Sequence, residues 1–191
     1  MFNSRDSMGN VEVLKRGDIQ LTSAGTGIRH SEKTHGDLPV HFLQIWSLPS
    51  QYGLSPKYFT RKFTDAEKTN TLVPVVAPVG SEGISEDRDA HGPTPVHSPL
   101  YMFATILEPG KTVKHSLKKP KAGEEQRRGY IHVIQTGGYN KGAATGNTVS
   151  LNDEMKLAEG DGAFITGPEG GEITILNVGS SSAELLLFDL D

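Results

Sequence analysis

The chain has 191 residues, a formal net charge of -4 and no cysteine, which excludes a disulfide framework, a thiolate metal site and a cysteine nucleophile. The charge gives no global electrostatic reason to expect nucleic-acid or membrane-surface binding, and the length suits one generous core or two small ones. Site chemistry must come from His, Asp, Glu, Ser and Lys.

Twenty-two glycines and eleven prolines cut the chain into short pieces whose apolar residues alternate with a period of two. The opening residues MFNSRDSMGN lack a signal peptide's apolar stretch, no apolar run is long enough to span a bilayer and no Asn-x-Ser/Thr sequon occurs. A soluble protein without membrane partners, cytoplasmic and/or nuclear, is the expectation.

In chain order, strands are predicted at Val11 to Leu14, Ile19 to Thr22, Val40 to Leu48, Lys57 to Phe63 and Leu72 to Val79, separated by Gly-rich and Pro-rich turns. TDAEKT, from Thr64 to Thr69, reads as a turn. Residues 80–99 have almost no apolar content and hold three of the eleven prolines, so they read as a linker between two β-rich halves, 1–79 and 100–191. Further strands are predicted at Leu100 to Leu107, Thr112 to Leu117, Tyr130 to Thr136, Asn147 to Leu151, Ala163 to Gly167, Ile173 to Val178 and Ala183 to Leu190. Many short strands at regular spacing predict an all-β protein of the jelly-roll kind.

A shift of 143 positions lays VEVLKRGDIQLTSAGTGIRHSE over EMKLAEGDGAFITGPEGGEITI, with Gly17-Asp18 on Gly160-Asp161 and Leu14 on Leu157. The repeat predicts two duplicated β-domains. It puts His30 on Ile173 and Glu32 on Ile175. An imidazole and a carboxylate buried where the second half carries two isoleucines need a partner, and a metal ion would satisfy both. By the same arithmetic the first half lacks its opening strands.

The other histidines, His35, His41, His91, His97, His115 and His132, show no ligand spacing with one another and read as surface or hydrogen-bonded residues. His41 alternates with apolar neighbours and could approach a metal from a neighbouring strand. KHSLKKPKAGEEQRRG, starting at Lys114, carries six basic residues against two acidic ones and reads as a solvated loop with a faint likeness to a nuclear localisation signal. Gly25-Thr26-Gly27 reads as a β-turn, not a phosphate loop.

RDSMGNVEVLKRGDIQLTSAGTGIRHSE followed by FLQIWSLP, then YMFATILEPGKTV, AEGDGAF and ELLLFDL, resembles the pirin family of the cupin superfamily over nearly the whole chain. The resemblance implies two tandem cupin (jelly-roll-like) β-barrels, the N-terminal one incomplete, with a metal-free structural second domain. It implies one iron, Fe(II), bound by three histidines and a glutamate. Two of those histidines come from a His-x-His motif that this sequence lacks; His30 and Glu32 match the other two ligands. It further implies a quercetin 2,3-dioxygenase-type reaction on a flavonol, with Glu32 doubling as ligand and catalytic base. The family's other role is as a nuclear cofactor that binds a transcription-factor partner without contacting nucleic acid. A third expectation is a shortened, metal-free, inactive chain.

Overall fold

A computed structural model describes residues 1–136 and 146–191. They form β1 (Phe2–Asp6), β2 (Val11–Leu14), β3 (Asp18–Ser23), β4 (His30–Thr34), β5 (Lys57–Lys62), α1 (Asp65–Lys68), β6 (Val73–Pro78), β7 (Thr94–Val96), β8 (Leu100–Leu107), β9 (Thr112–Ser116), β10 (Arg127–Val133), β11 (Thr148–Leu151), β12 (Met155–Ala158), β13 (Gly162–Gly167), β14 (Glu172–Asn177) and β15 (Ala183–Leu190). The described residues are all-β apart from one helical turn. Two compact units result, Met1–Phe63 with Val76–Pro99, and Thr64–Val75 with Leu100–Asp191. Residues 80–99, read from composition as a linker, therefore group with the first unit, and 64–75 with the second.

In the first unit a three-stranded antiparallel sheet runs β2-β1-β4, β3 pairs antiparallel with β5, and Val76 to Pro78 of β6 pair parallel with β7. Arg61 of β5 is buried and holds the loop that follows β6: one terminal nitrogen donates to the Arg88 carbonyl at 2.7 Å, the other to the Ser85 and Asp87 carbonyls at 2.9 and 3.0 Å. A guanidinium supplies enough donors in a fixed fork to satisfy several carbonyls at once.

In the second unit β12-β11-β14-β9 form one antiparallel sheet and β13-β10-β15-β8 run side by side in another. Between them lies a continuous apolar core that includes Leu107, Ile131, Val133, Val149, Ile173, Ile175, Leu185 and Leu187. Every fully buried member of that core belongs to the second unit.

The 143-residue repeat is visible in backbone geometry. In the first unit the Lys15 N–H donates to Asp18 Oδ2 at 2.9 Å and the Asp18 N–H to the Lys15 carbonyl at 3.1 Å, with Gly17 at φ +82°. In the second, Ala158 and Asp161 make the same two bonds at 2.8 and 3.0 Å around Gly160 at φ +87°. A positive φ favours glycine at both turns. The flanking strands follow suit: β1 lies between β2 and β4 as β11 lies between β12 and β14.

Two predicted elements differ. Thr64 to Thr69 contains a helical turn, because Thr64 accepts from the Glu67 N–H while the Glu67 carboxylate accepts from the Thr64 N–H, a reciprocal capping box. Val40 to Leu48 forms no strand, and Trp46 and Leu48 are 86% and 90% exposed. Its alternation satisfies the side-chain pattern of a strand, but a strand also needs a neighbouring backbone, and the described residues give it none.

Candidate metal centre

His30 and Glu32 stand two residues apart on β4 and so face the same side of the sheet, with Cα atoms about 6.6 Å apart. The register sets their neighbours: His30 lies opposite Asp6 and Glu32 opposite Ser4, which in turn lies opposite Glu12. One face of the sheet thus carries the row Glu12, Ser4, Glu32, beside Asp6 and His30. Ser4 is buried, Glu32 half-buried and His30 exposed.

The same row in the second unit, read by register, is Met155, Leu151, Ile175, and the residue in the place of His30 is Ile173. Leu151, Ile173 and Ile175 are buried and apolar, Met155 is half exposed, and the first unit carries a hydroxyl, an imidazole and carboxylates at the equivalent positions.

The polar row is tied to β3 and β5. Gln20 Nε2 donates to Glu32 Oε1 at 3.2 Å, and the Tyr58 hydroxyl donates to Gln20 Oε1 at 3.2 Å. Arg88 pairs with Glu12 and lies over the Tyr58 ring, 5.5 Å from its centroid. Burial, with the Glu12 charge, pushes the Tyr58 phenol above its ordinary range despite the opposing Arg88 cation, so it stays protonated and can donate. Glu32 keeps its second oxygen for another partner. A cavity of about 180 Å³ borders β4, lined by Asn3, Arg5, Ser31, Glu32 and Lys33.

The neighbouring carboxylates are committed elsewhere. Asp6 accepts from the Met8 and Asn10 N–H groups at 2.9 and 3.0 Å and from Asn10 Nδ2 at 2.7 Å. Burial works to raise the Asp6 carboxyl's pKa, but these bonds outweigh it and the net shift is downward. Glu12 is held by Arg88. Among the described residues no three His, Asp or Glu side chains cluster as a metal set. His30 and Glu32 fit a divalent first-row ion in donor type and in facing, and they supply two donors of it.

The second unit has a strand on the side where the first has none. There β9 pairs with β14, placing His115 opposite Ile173 and Val113 opposite Ile175. Among the described residues β4, the counterpart of β14, is an edge with no strand on that side. His41, read as a surface or hydrogen-bonded histidine, lies in the irregular segment and is exposed.

His115 is a hydrogen-bonded histidine. Its Nε2 lies 2.8 Å from Oδ2 of the buried Asp189, whose other oxygen accepts from Arg127, and Phe103 packs on the ring at 4.7 Å. Of the basic run around it, Lys114, Lys118, Lys119, Lys121 and Arg128 are exposed, as a solvated loop requires, with Lys114 pairing with Glu172 at 2.7 Å and Lys118 Nζ 4.3 Å from the Tyr101 ring centre; Arg127 alone is buried and also pairs with Asp191 at 3.1 Å. Gln20, Tyr58, Glu12 and Arg88 escaped sequence reading, although Gln20 falling on Ala163 across the repeat is a signal of the same kind as Glu32 falling on Ile175.

These features define a duplicated cupin-type protein with one polar and one apolar unit. A family model described as Pirin matches residues 1–47, and one described as Quercetinase C-terminal cupin domain matches residues 84–190. The chain belongs to the pirin family. It is 33% identical over 188 residues to an Escherichia coli K12 protein named quercetin 2,3-dioxygenase, covering 97% of this chain and 66% of that one. It is 29% identical over 177 residues to a Caulobacter vibrioides pirin-like protein, covering 91% and 67%. The crystal structure of YhhW from Escherichia coli superposes with a TM-score of 0.75 at 28% identity, over all of this chain and 67% of that one. A second structure, bacterial pirin YhhW in complex with nickel(II), gives 0.69 at 27% identity over 99% and 67%. The chain spans about two thirds of the length of these relatives. They are bacterial proteins and lend no support to a nuclear partner. No helix among the described residues is long and apolar enough to cross a membrane.

Proposed function

We propose that this is a pirin-type metalloprotein with quercetin 2,3-dioxygenase-like activity, whose first unit uses His30 and Glu32 as two ligands of a divalent metal, iron in the working protein. The observation that carries the reading is the replacement of Met155, Leu151 and Ile175 by Glu12, Ser4 and Glu32 at equivalent positions of the duplicated fold. A half-buried carboxylate beside an imidazole is retained at a cost unless something uses it.

Relatives support the same reading, one named quercetin 2,3-dioxygenase and one crystallised as a pirin with nickel(II). Further donors enter along the open edge of β4, the side on which β9 flanks β14 in the second unit. When bound, the ion supplies Lewis acidity toward an oxygen of a flavonol substrate. Glu32, with one oxygen fixed by Gln20, offers the other to the ion or to a substrate proton.

The test is metal content after anaerobic loading with Fe(II) or Ni(II), in the wild type and in His30→Ala and Glu32→Ala, followed by quercetin consumption under O₂. About one ion per chain is expected in the wild type and none in either variant, because losing one of few protein ligands abolishes retention. A wild type that retains no metal overturns the reading.

A further inference from the structure

We propose that Gln20 is a positioning residue for Glu32 and that Tyr58 sets the orientation of Gln20. The inference rests on the metal reading above and extends it to a relay of three side chains on three different strands.

A glutamine side chain has one accepting and one donating end, and which end faces a carboxylate decides whether the contact attracts or repels. Here the phenol of Tyr58 donates to Gln20 Oε1, which leaves Gln20 Nε2 to donate to Glu32 Oε1. The ionised carboxylate of Glu32 can only accept and so takes the donating end of the amide, and the phenol hydrogen satisfies the carbonyl end that remains. The carboxylate rotor of Glu32 is thereby fixed, with Oε2 directed away from Gln20. Outer partners of this kind orient a ligand and raise its affinity for an ion.

The strand register makes the relay possible. Gln20 pairs with Thr60 and Thr22 with Tyr58 across the β3–β5 ladder, so Gln20 and Tyr58 are diagonal neighbours on one face, within reach of each other.

The duplication supplies an independent argument. By the 143-residue shift, Glu32 and Gln20 correspond to Ile175 and Ala163. The unit without the carboxylate also lacks the amide. Ala163 and Ile175 are both buried in its apolar core. The two positions change character together, as they must if the amide serves the carboxylate. A fold-stabilising role alone would give no reason for that correlation.

The experiment combines Ni(II) titration by calorimetry with ¹³C NMR of the Glu32 carboxylate in the metal-free protein, for the wild type, Gln20→Met, Tyr58→Phe and the double variant. Thr22→Val, a same-face change outside the relay, is the control. Gln20→Met is expected to weaken Ni(II) binding at least tenfold. Tyr58→Phe is expected to weaken it in the same direction, and the double variant to bind no worse than Gln20→Met, since Tyr58 acts through Gln20. The Glu32 carboxylate resonance moves in both single variants and not in Thr22→Val. Wild-type Ni(II) binding with both the affinity and the carboxylate signal unchanged in Tyr58→Phe and Gln20→Met overturns the relay and leaves the metal reading standing. A wild type that binds no Ni(II) defeats the metal reading instead, and the carboxylate signal then decides the relay: moved in both variants it stands, unmoved it falls. Tyr58→Phe removes a single hydroxyl, so the test survives even if Gln20→Met does not fold.

Discussion

His115 and Ile173 face each other across the β9–β14 ladder, so this imidazole stands beside the counterpart of His30. The position of the His30 counterpart is filled by an apolar side chain in the core. The nearest imidazole has its Nε2 committed to Asp189. Asp189 in turn accepts from Arg127 and from the Lys118 N–H, which leaves it fully satisfied although no part of it reaches solvent.

Removing that carboxylate leaves Arg127 and His115 facing a void. Asp189→Ala is expected to destabilise the protein by about 3 to 5 kcal/mol, the usual cost of breaking a buried ion pair from one side. Asp191→Ala, which removes a partly exposed partner of Arg127, should cost far less. Denaturant unfolding of the two variants measures the contrast.

The same carboxylate sets an acid limit on stability. Burial works to raise the Asp189 pKa, but the bonds from His115, Arg127 and Lys118 outweigh it and the folded value lies below the ordinary 3.8. A depressed folded value means that the unfolded chain takes up the proton first. The stabilisation is therefore complete above about pH 4 and is lost as pH falls below that toward the folded value. Urea midpoints measured between pH 6 and pH 2 should fall steeply at the acid end in the wild type and less steeply in Asp189→Asn.

Much of this fold was legible because alternation and turn chemistry are local. Leu100 to Leu107 and Ala183 to Leu190 coincide with their predicted spans, and the Gly-Asp repeat in the sequence matches the paired turns of the backbone. What escaped depends on neighbours. His30 to Thr34 is a strand because β1 pairs with it, although HSEKT has no apolar alternation. Val40 to Leu48 has the alternation and no partner. At the site, His30 and Glu32 stood out by their spacing, whereas Gln20 and Tyr58 join them only through the placing of β3 and β5 against β4, which no single stretch of sequence encodes.

Arg61 gives a prediction about the loop after β6. Its guanidinium satisfies carbonyls of Ser85, Asp87 and Arg88, and lysine cannot reproduce that fork. Arg61→Lys should cost the Ser85 and Asp87 carbonyls their guanidinium bonds, about 0.5 to 1.5 kcal/mol each, while the Arg88 carbonyl keeps the Thr60 N–H. It should also open the loop to proteolysis between Ser85 and His91. Limited digestion followed by mass spectrometry reads the cut. Wild type and variant cleaved equally fast at that place would show that Arg61 does not hold the loop.

Trp46 is the single tryptophan of the chain, so its fluorescence reports on one place. It lies with Leu38, Phe42, Ile45, Leu48 and Tyr52 in a stretch where large apolar side chains face solvent. A patch of that composition ordinarily marks a surface that another chain covers. In dilute solution the emission should be that of a water-exposed indole, quenched by acrylamide as efficiently as free tryptophan. Repeating the measurement across a wide range of protein concentration then separates two cases: a blue shift that grows with concentration means that copies of the chain cover the segment, and a constant red emission means that it stays open. Blue-shifted, poorly quenched emission already at the lowest concentration would contradict the exposed placement of Val40 to Leu48 itself.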